Sequence, residues 1–357
     1  MRPKSRFPMT PSFLKKLALS PALLLLSGCH MVVMNPSGDI AVQQRDLIIL
    51  STVLMLLIIV PVIALTLFFA WKYRRSNEKA KYDPDWHHST RLEIVIWAAP
   101  LVIIMILGAV TWTSTHLLDP YRPLDRLAPG QAAHGVKPLK VEVVALDWKW
   151  LFIYPELGVA TVNELAAPVD TPIDFDLTSS SVMNSFYVPA LAGQIYAMPG
   201  MRTKLHAVIN KPGVYEGFSA NYSGAGFSDM RFKFHGMSRA DFEAWAAEVR
   251  KSGDRLDGPR YLALERPTEK VPAQRFASVE GGLFDKAVNR CVEPGKMCQH
   301  DMMRIDAQGG LGMAGAYNVT TLEYDKRVRR GEGGLRSFVA ALCAPQDAPK
   351  SAPVQAR

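Results

Sequence analysis

The stretch LKVEVVALDWKWLFIYP, residues 139–155, decides the fold of the larger part of the chain. Its large apolar residues share one parity: Leu146, Trp148, Trp150, Phe152 and Tyr154. Asp147 and Lys149 lie between them, on the opposite parity. Alternation with a period of two predicts a half-buried β-strand whose aromatic side chains face a core.

Short β-rich segments continue as far as residue 236, separated by Gly and Pro turns. They predict a β-sandwich or barrel over residues 137–236. Ser238 and Asp241 then have the spacing of a capping box. Apolar residues follow at helical spacing: Phe242, Trp245, Ala246 and Val249. We therefore expect an amphipathic helix over 239–251, within a helical extension (237–290), and a tail (291–357) that is disordered in part.

Two apolar runs precede the β-rich part. No charged residue occurs from Leu47 to Trp71 or from Ile94 to Thr115. As helices these runs reach roughly 37 and 33 Å, enough to cross a bilayer core of about 30 Å. The sequence predicts transmembrane helices over 46–73 and 92–118, followed by a linker over 119–136.

The loop between the runs, residues 74–91, is rich in Lys and Arg. Such short loops stay in the cytoplasm, so both ends of the hairpin face the periplasm. The formal net charge of +8 alone fits a nucleic-acid partner. Because the apolar residues are concentrated in long runs, a lipid bilayer is the expected partner and nucleic acid is not.

The N-terminus has the pattern of a bacterial lipoprotein signal peptide over residues 1–28. Basic residues precede a short apolar stretch, which ends in Leu26-Ser27-Gly28-Cys29. This predicts cleavage before Cys29, acylation of its thiol, for example with palmitate, and a periplasmic segment over 29–45. The alternative is an ordinary apolar segment with an unrelated cysteine.

Several motifs together resemble subunit II of the haem–copper respiratory oxidases. They are RLEIVIWAAPLVI (91–103), DWKWLFIYPE (147–156), SVMNSFYVP (181–189), QIYAMPGM (194–201) and SANYSGAGFSDM (219–230). The resemblance covers about residues 45–236 and is greatest to the quinol-oxidising, cytochrome bo-type branch. It implies a two-helix hairpin, then an all-β cupredoxin-like sandwich, in an inner-membrane protein of the respiratory chain.

In the cytochrome-c-oxidising branch this sandwich carries the dinuclear copper A centre. The matching positions here are Asn184, Ser219, Asn221, Ser223, Phe227 and Met230, and only the last keeps the family's residue. A copper pair needs bridging thiolates and imidazoles. A hydroxyl, an amide and a phenyl ring do not replace them, so we expect these positions to be non-binding and the chain to hold no metal.

The resemblance further implies a subunit without redox groups of its own. Haems and a copper ion are expected in the partner subunit I, where ubiquinol is oxidised, oxygen is reduced to water and protons are pumped. Smaller membrane subunits are expected partners, and cytochrome c is not. Glu93, at the start of the second helix, is the candidate for proton entry; the alternative is that it only favours the helix N-terminus.

Two other functions stay open from the sequence. One is subunit II of a cytochrome c oxidase with an atypical metal centre, and the other is a membrane-tethered lipoprotein scaffold. His87 and His88 are adjacent on one loop and are expected to belong to the cytoplasmic surface. Cys291 and Cys298 are candidates for a disulfide in the oxidising periplasm, with Cys343 left over or paired with either one.

Overall fold

The computed structural model describes residues 31–80, 85, 87–310, 312, 315, 318–322 and 336–341. The predicted signal peptide and the acylated cysteine, Cys29, lie outside the described residues, as does Cys343.

Two long helices form the N-terminal part. Helix α1 spans Asp39–Lys72 and α2 spans Thr90–Leu117. Both are long and apolar enough to cross a membrane, and almost none of their apolar stretch is buried against the rest of the chain. The predicted bounds mark the apolar runs, but α1 begins earlier, because its polar first turns pack on the β-domain. Asp39 and Ala41 are buried there.

The periplasmic part is a sandwich of two sheets. The strands of the first sheet are β3 (Leu139–Leu146), β4 (Lys149–Tyr154), β5 (Val159–Val162), β7 (Pro172–Ser179), β10 (Thr203–Val208) and β14 (Gln274–Phe276). Those of the second are β6 (Glu164–Pro168), β8 (Asn184–Tyr187), β9 (Ile195–Ala197), β11 (Gly213–Ser219) and β12 (Arg231–Met237). The six strands of the first sheet lie in the order β10-β7-β3-β4-β5-β14, and the five of the second in the order β6-β12-β11-β8-β9. The predicted fold class, a membrane hairpin followed by a cupredoxin-like sandwich, is confirmed.

Short strand pairs lie outside the sandwich. They are β1 (Arg126–Ala128) with β2 (Gln131–Ala132), β13 (Arg255–Leu256) with β15 (Ser278–Val279), and β16 (Val319–Leu322) with β17 (Arg336–Val339).

The prediction of one half-buried strand over 139–155 is wrong. The stretch is a hairpin of β3 and β4, in which Leu146 pairs with Lys149 across the turn Asp147-Trp148. Trp148 has φ 63°, a left-handed conformation that reverses the chain. In the sequence, the alternation of apolar and polar residues continues through this turn, so the turn could not be recognised. Every residue of β4 is buried, Lys149 included, because both faces of the sheet are covered.

The two faces of the first sheet belong to different cores. Trp150, Phe152 and Tyr154 face the second sheet. Leu151 and Ile153 face the C-terminal extension, whose Tyr261, Phe276 and Phe284 complete a separate core. A strand covered on both sides loses the inside–outside alternation that marks a half-exposed sheet.

The extension contains helices and strands. Its helices are α3 (Arg239–Arg250), α4 (Gly258–Glu265) and α5 (Leu283–Val288). A further helix, α6 (Gln299–Ala307), lies in the predicted tail. The predicted helix over 239–251 is confirmed as α3, and the Ser238 hydroxyl accepts a bond of 3.1 Å from the Asp241 backbone N–H as its cap. The prediction of a purely helical extension is incomplete, since β14 pairs with β5 and becomes the edge of the first sheet.

Candidate functional site

The six positions of the degenerate copper loop meet at one end of the second sheet. Asn184 begins β8, Ser219 ends β11, and the loop 220–230 joins β11 to β12. β8 and β11 are antiparallel neighbours, with Ser219 opposite Phe186. The backbone N–H of Ala220 donates to the Ser185 carbonyl over 2.9 Å, which fixes the loop against β8.

Asn184 and Ser219 contact each other in the buried part of this site. They are 2% and 3% exposed, and the Ser219 hydroxyl donates to Asn184 Oδ1 over 3.2 Å. Asn184 Nδ2 donates to the Val182 carbonyl at 3.1 Å. The Asn221 amide donates to the Met183 carbonyl over 3.4 Å. These polar groups therefore satisfy one another and the nearby backbone, as buried polar groups must.

The other three positions close the loop over the domain. Met230 is fully buried in the sandwich core. The Phe227 ring packs edge-on against the ring of Tyr222, with centroids 5.6 Å apart. The Ser223 hydroxyl is buried without a hydrogen-bond partner in the described part of the chain, while its carbonyl accepts the Trp148 indole N–H at 3.1 Å.

An aromatic cluster lies beneath the loop. The rings of Phe186 and Phe232 stack with centroids 5.4 Å apart, and Trp150 meets Phe186 edge-on at 5.3 Å. Trp150 is fully buried and Trp148 is 7% exposed. Each such aromatic pair contributes about 0.5–1.5 kcal/mol beyond its buried area. The tryptophans thus act as packing residues that support the loop.

Two glycines allow the loop to approach its neighbours closely. Gly224 has φ +118°, which side-chain-bearing residues rarely adopt. A Cβ on Gly226 would lie 2.6 Å from Trp148 Cδ2. The turn therefore depends on glycine for reasons that have nothing to do with a metal.

The donor set at this site does not fit a dinuclear copper centre. Copper A chemistry needs soft thiolate bridges and imidazole nitrogens. Here the six side chains offer two hydroxyls, two amides, one phenyl ring and one thioether. His206 lies on β10 of the other sheet, and its imidazole is paired there, with Nδ1 2.7 Å from Asp174 Oδ1.

Glu93 lies in the first turn of α2, as predicted from the sequence. Its Oε1 is 2.7 Å from His88 Nδ1, and both side chains are about half exposed, at 46% and 59%. The Nε2 of His88 lies 3.1 Å from the Thr90 hydroxyl. Sequence reasoning missed this partner, because it treated His88 only as a neighbour of His87. The signal available was the spacing of five residues across a helix start.

Cys291 and Cys298 form a disulfide with a Cα–Cα distance of 4.8 Å. His300 and Asp301 lie near the Cys298 sulfur, with their ligand atoms within 4.8 Å of one another. Because that sulfur is bonded to Cys291, it cannot act as a thiolate ligand.

Two family models match the chain. "Cytochrome C oxidase subunit II, periplasmic domain" matches residues 141–236, and "COX Aromatic Rich Motif" matches residues 250–295. The second model covers the region that packs on the outer face of the first sheet, for which the sequence alone suggested no role.

Known proteins are similar over most of the chain. Cytochrome bo(3) ubiquinol oxidase subunit 2 of Pseudomonas aeruginosa is 50% identical over 83% of this chain and 92% of its own. Ubiquinol oxidase subunit 2 of Acetobacter aceti is 51% identical over 74% and 84%. The solved periplasmic domain of cytochrome oxidase subunit II from Bradyrhizobium japonicum is 22% identical, with a TM-score of 0.31, over 32% of this chain and 94% of that one. On the identity and coverage of its relatives, the chain belongs to the family of subunit 2 of the cytochrome bo(3)-type ubiquinol oxidases.

Proposed function

We propose that this chain supports a proton-pumping quinol oxidase in the inner membrane, in which ubiquinol is oxidised and oxygen is reduced to water. The haems and the copper ion belong to the partner subunit I. The observation that carries the proposal is the loop at the end of the second sheet. Its ligand positions hold Ser219, Asn184 and their neighbours, which bond to one another and offer no thiolate.

The donor set determines where electrons enter. A periplasmic electron-carrier protein needs a metal in the β-domain to receive single electrons. Without bridging thiolates the domain has no such relay, so the donor must reach subunit I from the bilayer. A lipid-soluble quinol does this, and the names of the relatives at about 50% identity support ubiquinol. They also favour this function over an atypical cytochrome c oxidase and over a lipoprotein scaffold.

The test uses the whole complex, purified in detergent through this subunit. Oxygen uptake is measured with a short-chain ubiquinol and with reduced cytochrome c, and metal is then measured on the separated subunit. We expect haem-bearing subunits to co-purify, uptake with quinol only, and no stoichiometric copper on this chain. Copper bound to this chain together with uptake from cytochrome c would contradict the proposal. A chain that purifies without haem proteins would support the scaffold instead.

We further propose that Glu93 collects protons from the cytoplasm for the oxygen site. It lies where the basic loop meets the membrane, and it is partly exposed beside His88. A carboxylate at this depth exchanges protons with the loop side and passes them inwards. The pair itself contributes little stability, about 0–1 kcal/mol, because both groups are solvated.

The matched test compares Glu93→Ala with Glu78→Ala, since Glu78 is an exposed acidic residue of the loop that precedes α2. We expect quinol oxidase turnover to fall about 100-fold in Glu93→Ala, the lower end of what a positioned proton-transfer group contributes. Turnover should be unchanged in Glu78→Ala. The conservative variant Glu93→Asp should keep part of the turnover that Glu93→Ala loses. Normal turnover in Glu93→Ala, with normal haem content, would leave Glu93 only its role at the helix start.

The proposal includes a lipid anchor at Cys29, which rests on the sequence pattern Leu26-Ser27-Gly28-Cys29. Intact-mass measurement of the purified subunit tests it. Acylation predicts loss of residues 1–28 and added acyl mass, both abolished in Cys29→Ala. An unmodified N-terminal peptide containing Cys29 would contradict it.

A further inference from the structure

A cavity of about 240 Å³ lies where the membrane helices meet the β-domain. The start of α1, the end of α2, the following linker and β10 form its walls. Polar groups of Asp39 and Arg122 line it together with the apolar side chains of Ile40, Leu117 and Leu205. It is separate from the degenerate copper loop and from Glu93, neither of which contributes to its lining.

One buried carboxylate in this cavity has an unused oxygen. Asp39 is only 3% exposed. Its Oδ2 accepts from Gln43 Nε2 at 2.7 Å and from Arg126 Nε at 2.9 Å. Its Oδ1 is buried and has no hydrogen-bond partner in the part of the chain that the structure describes. A buried charged acceptor without a donor is costly, so an N–H or O–H that reached this oxygen from the cavity would stabilise it.

The cavity lies at the depth of the lipid head groups. Asp39 precedes the uncharged run at Leu47 by roughly 12 Å of helix, and Leu117 follows the second run by about 3 Å. The head-group layer on each side of a bilayer is about 5–7 Å thick. The cavity therefore extends from the edge of the hydrocarbon core through this layer, on the periplasmic side.

The wall chemistry matches a zwitterionic lipid. Asp39 Oδ1 needs a donor, which a primary ammonium supplies as a charge-assisted hydrogen bond. The guanidinium of Arg122, paired with Asp125 and 39% exposed, presents positive charge suited to a phosphate. Ile40 and Leu117 offer apolar surface for the glycerol and the first acyl carbons.

We propose that this cavity binds the head group of an aminophospholipid of the phosphatidylethanolamine type, with the ammonium donating to Asp39 Oδ1 and the phosphate facing Arg122. The site would fix one lipid between the helices and the β-domain. It does not depend on the quinol oxidase proposal, because it uses none of the residues argued there.

The first test needs no variant. The purified complex is exchanged into nanodiscs of phosphatidylethanolamine, its N-methylated series or phosphatidylglycerol, and retained lipids are identified by native mass spectrometry. The trimethylammonium group of phosphatidylcholine has no N–H and cannot donate to Asp39 Oδ1. We expect one tightly retained phosphatidylethanolamine and a preference over phosphatidylcholine of about tenfold, the scale of one hydrogen bond to a charged group. Equal retention of both lipids would overturn the proposal.

The second test compares Asp39→Asn with Asp46→Asn. Asp46 lies on the same helix, and its side chain is 59% exposed. We expect the retained lipid to be lost only in Asp39→Asn, with haem content and subunit composition unchanged in both variants. Retention of the lipid in Asp39→Asn would overturn the assignment. So would a quinone mass in place of the lipid, or displacement of the lipid by millimolar free ethanolamine.

Discussion

Replacing Arg275 with Met should loosen the C-terminal extension from the sandwich. Glu164 on β6 receives three hydrogen bonds there. Arg275 Nη2 and Nε donate to its two oxygens at 2.8 and 2.9 Å, and the Trp245 indole donates to Oε1 at 3.1 Å. This one carboxylate therefore joins the second sheet, α3 and the edge strand β14.

The magnitude follows from burial. The side chain of Glu164 is 9% exposed and that of Arg275 is 32% exposed. Removing one partner of a fully buried ion pair costs about 3–5 kcal/mol, because the other charge stays buried. Water reaches the arginine side of this pair, and Trp245 still donates to the carboxylate. We therefore expect a loss of about 2–3 kcal/mol, which is roughly 30- to 150-fold in a local opening equilibrium.

Hydrogen exchange on the full chain in detergent measures this opening. Amide exchange in β14 and α3 should accelerate by that factor in Arg275→Met, while exchange in the hairpin β3–β4 stays slow. The double variant Glu164→Leu with Arg275→Met removes both charges and should recover much of the loss. Unchanged exchange in Arg275→Met, or a double variant as loose as the sum of the single variants, would refute the reasoning.

The same pair predicts a dependence on pH. Burial by itself raises the pKa of Glu164, but the hydrogen bonds from Arg275 and Trp245 outweigh burial and hold that pKa below its ordinary value of 4.5. A lowered folded-state pKa means that the stabilisation is present above pH 4.5 and is lost as pH falls through the folded value. The difference in the free energy of local opening between Arg275→Met and the wild type should therefore become smaller as the pH falls below 4.5.

Three further variants test the site and the extension through thermal unfolding of the full chain. Gly226→Ala should cost about 1–3 kcal/mol, because its Cβ would lie 2.6 Å from the Trp148 ring; an unchanged midpoint would contradict the close approach. Ser219→Ala removes the donor to a buried amide oxygen and should cost about 1 kcal/mol without changing oxygen uptake; lost uptake at normal haem content would indicate a functional role. Cys291→Ser opens the disulfide to Cys298 and should cost about 2–3 kcal/mol, an effect that a reductant reproduces in the wild type but does not add to in the variant.

The sequence predicts those elements that have one face exposed to water or that are surrounded by lipid alone. The membrane helices show as uncharged runs, and α3 shows as an amphipathic period with a Ser238 cap. The hairpin turn at Asp147-Trp148 could not be predicted from the sequence. Both faces of β4 are buried, so the alternation of residue types along it does not mark an exposed and a buried face. The pairing of β14 with β5 was also hidden, since it joins segments more than a hundred residues apart.

The candidate site was predictable to a different degree. The six positions of the degenerate copper site followed from the resemblance to the oxidase family, and the structure brings two of them, Asn184 and Ser219, into contact. The contact of His88 with Glu93 depends on how the loop enters α2, which spacing alone does not determine. Asp39 could not be singled out from sequence, because it reads as an ordinary acidic residue at a helix start until its burial is known.

The position of the β-domain on the membrane depends on both of its connections to the helices. Beyond the linker after α2, the segment before α1 is bound to the sandwich: the backbone N–H groups of Ser37 and Gly38 donate to the Ala190 carbonyl at 2.9 and 2.8 Å. A Cβ on Gly38 would lie 2.5 Å from two carbonyl oxygens of the domain. With Asp39 bonded to Arg126, α1 therefore enters the membrane directly from the sandwich. Together with the linker after α2, these contacts hold the sandwich to the helices at two points, so its position relative to α1 is set by hydrogen bonds and an ion pair as well as by the chain itself.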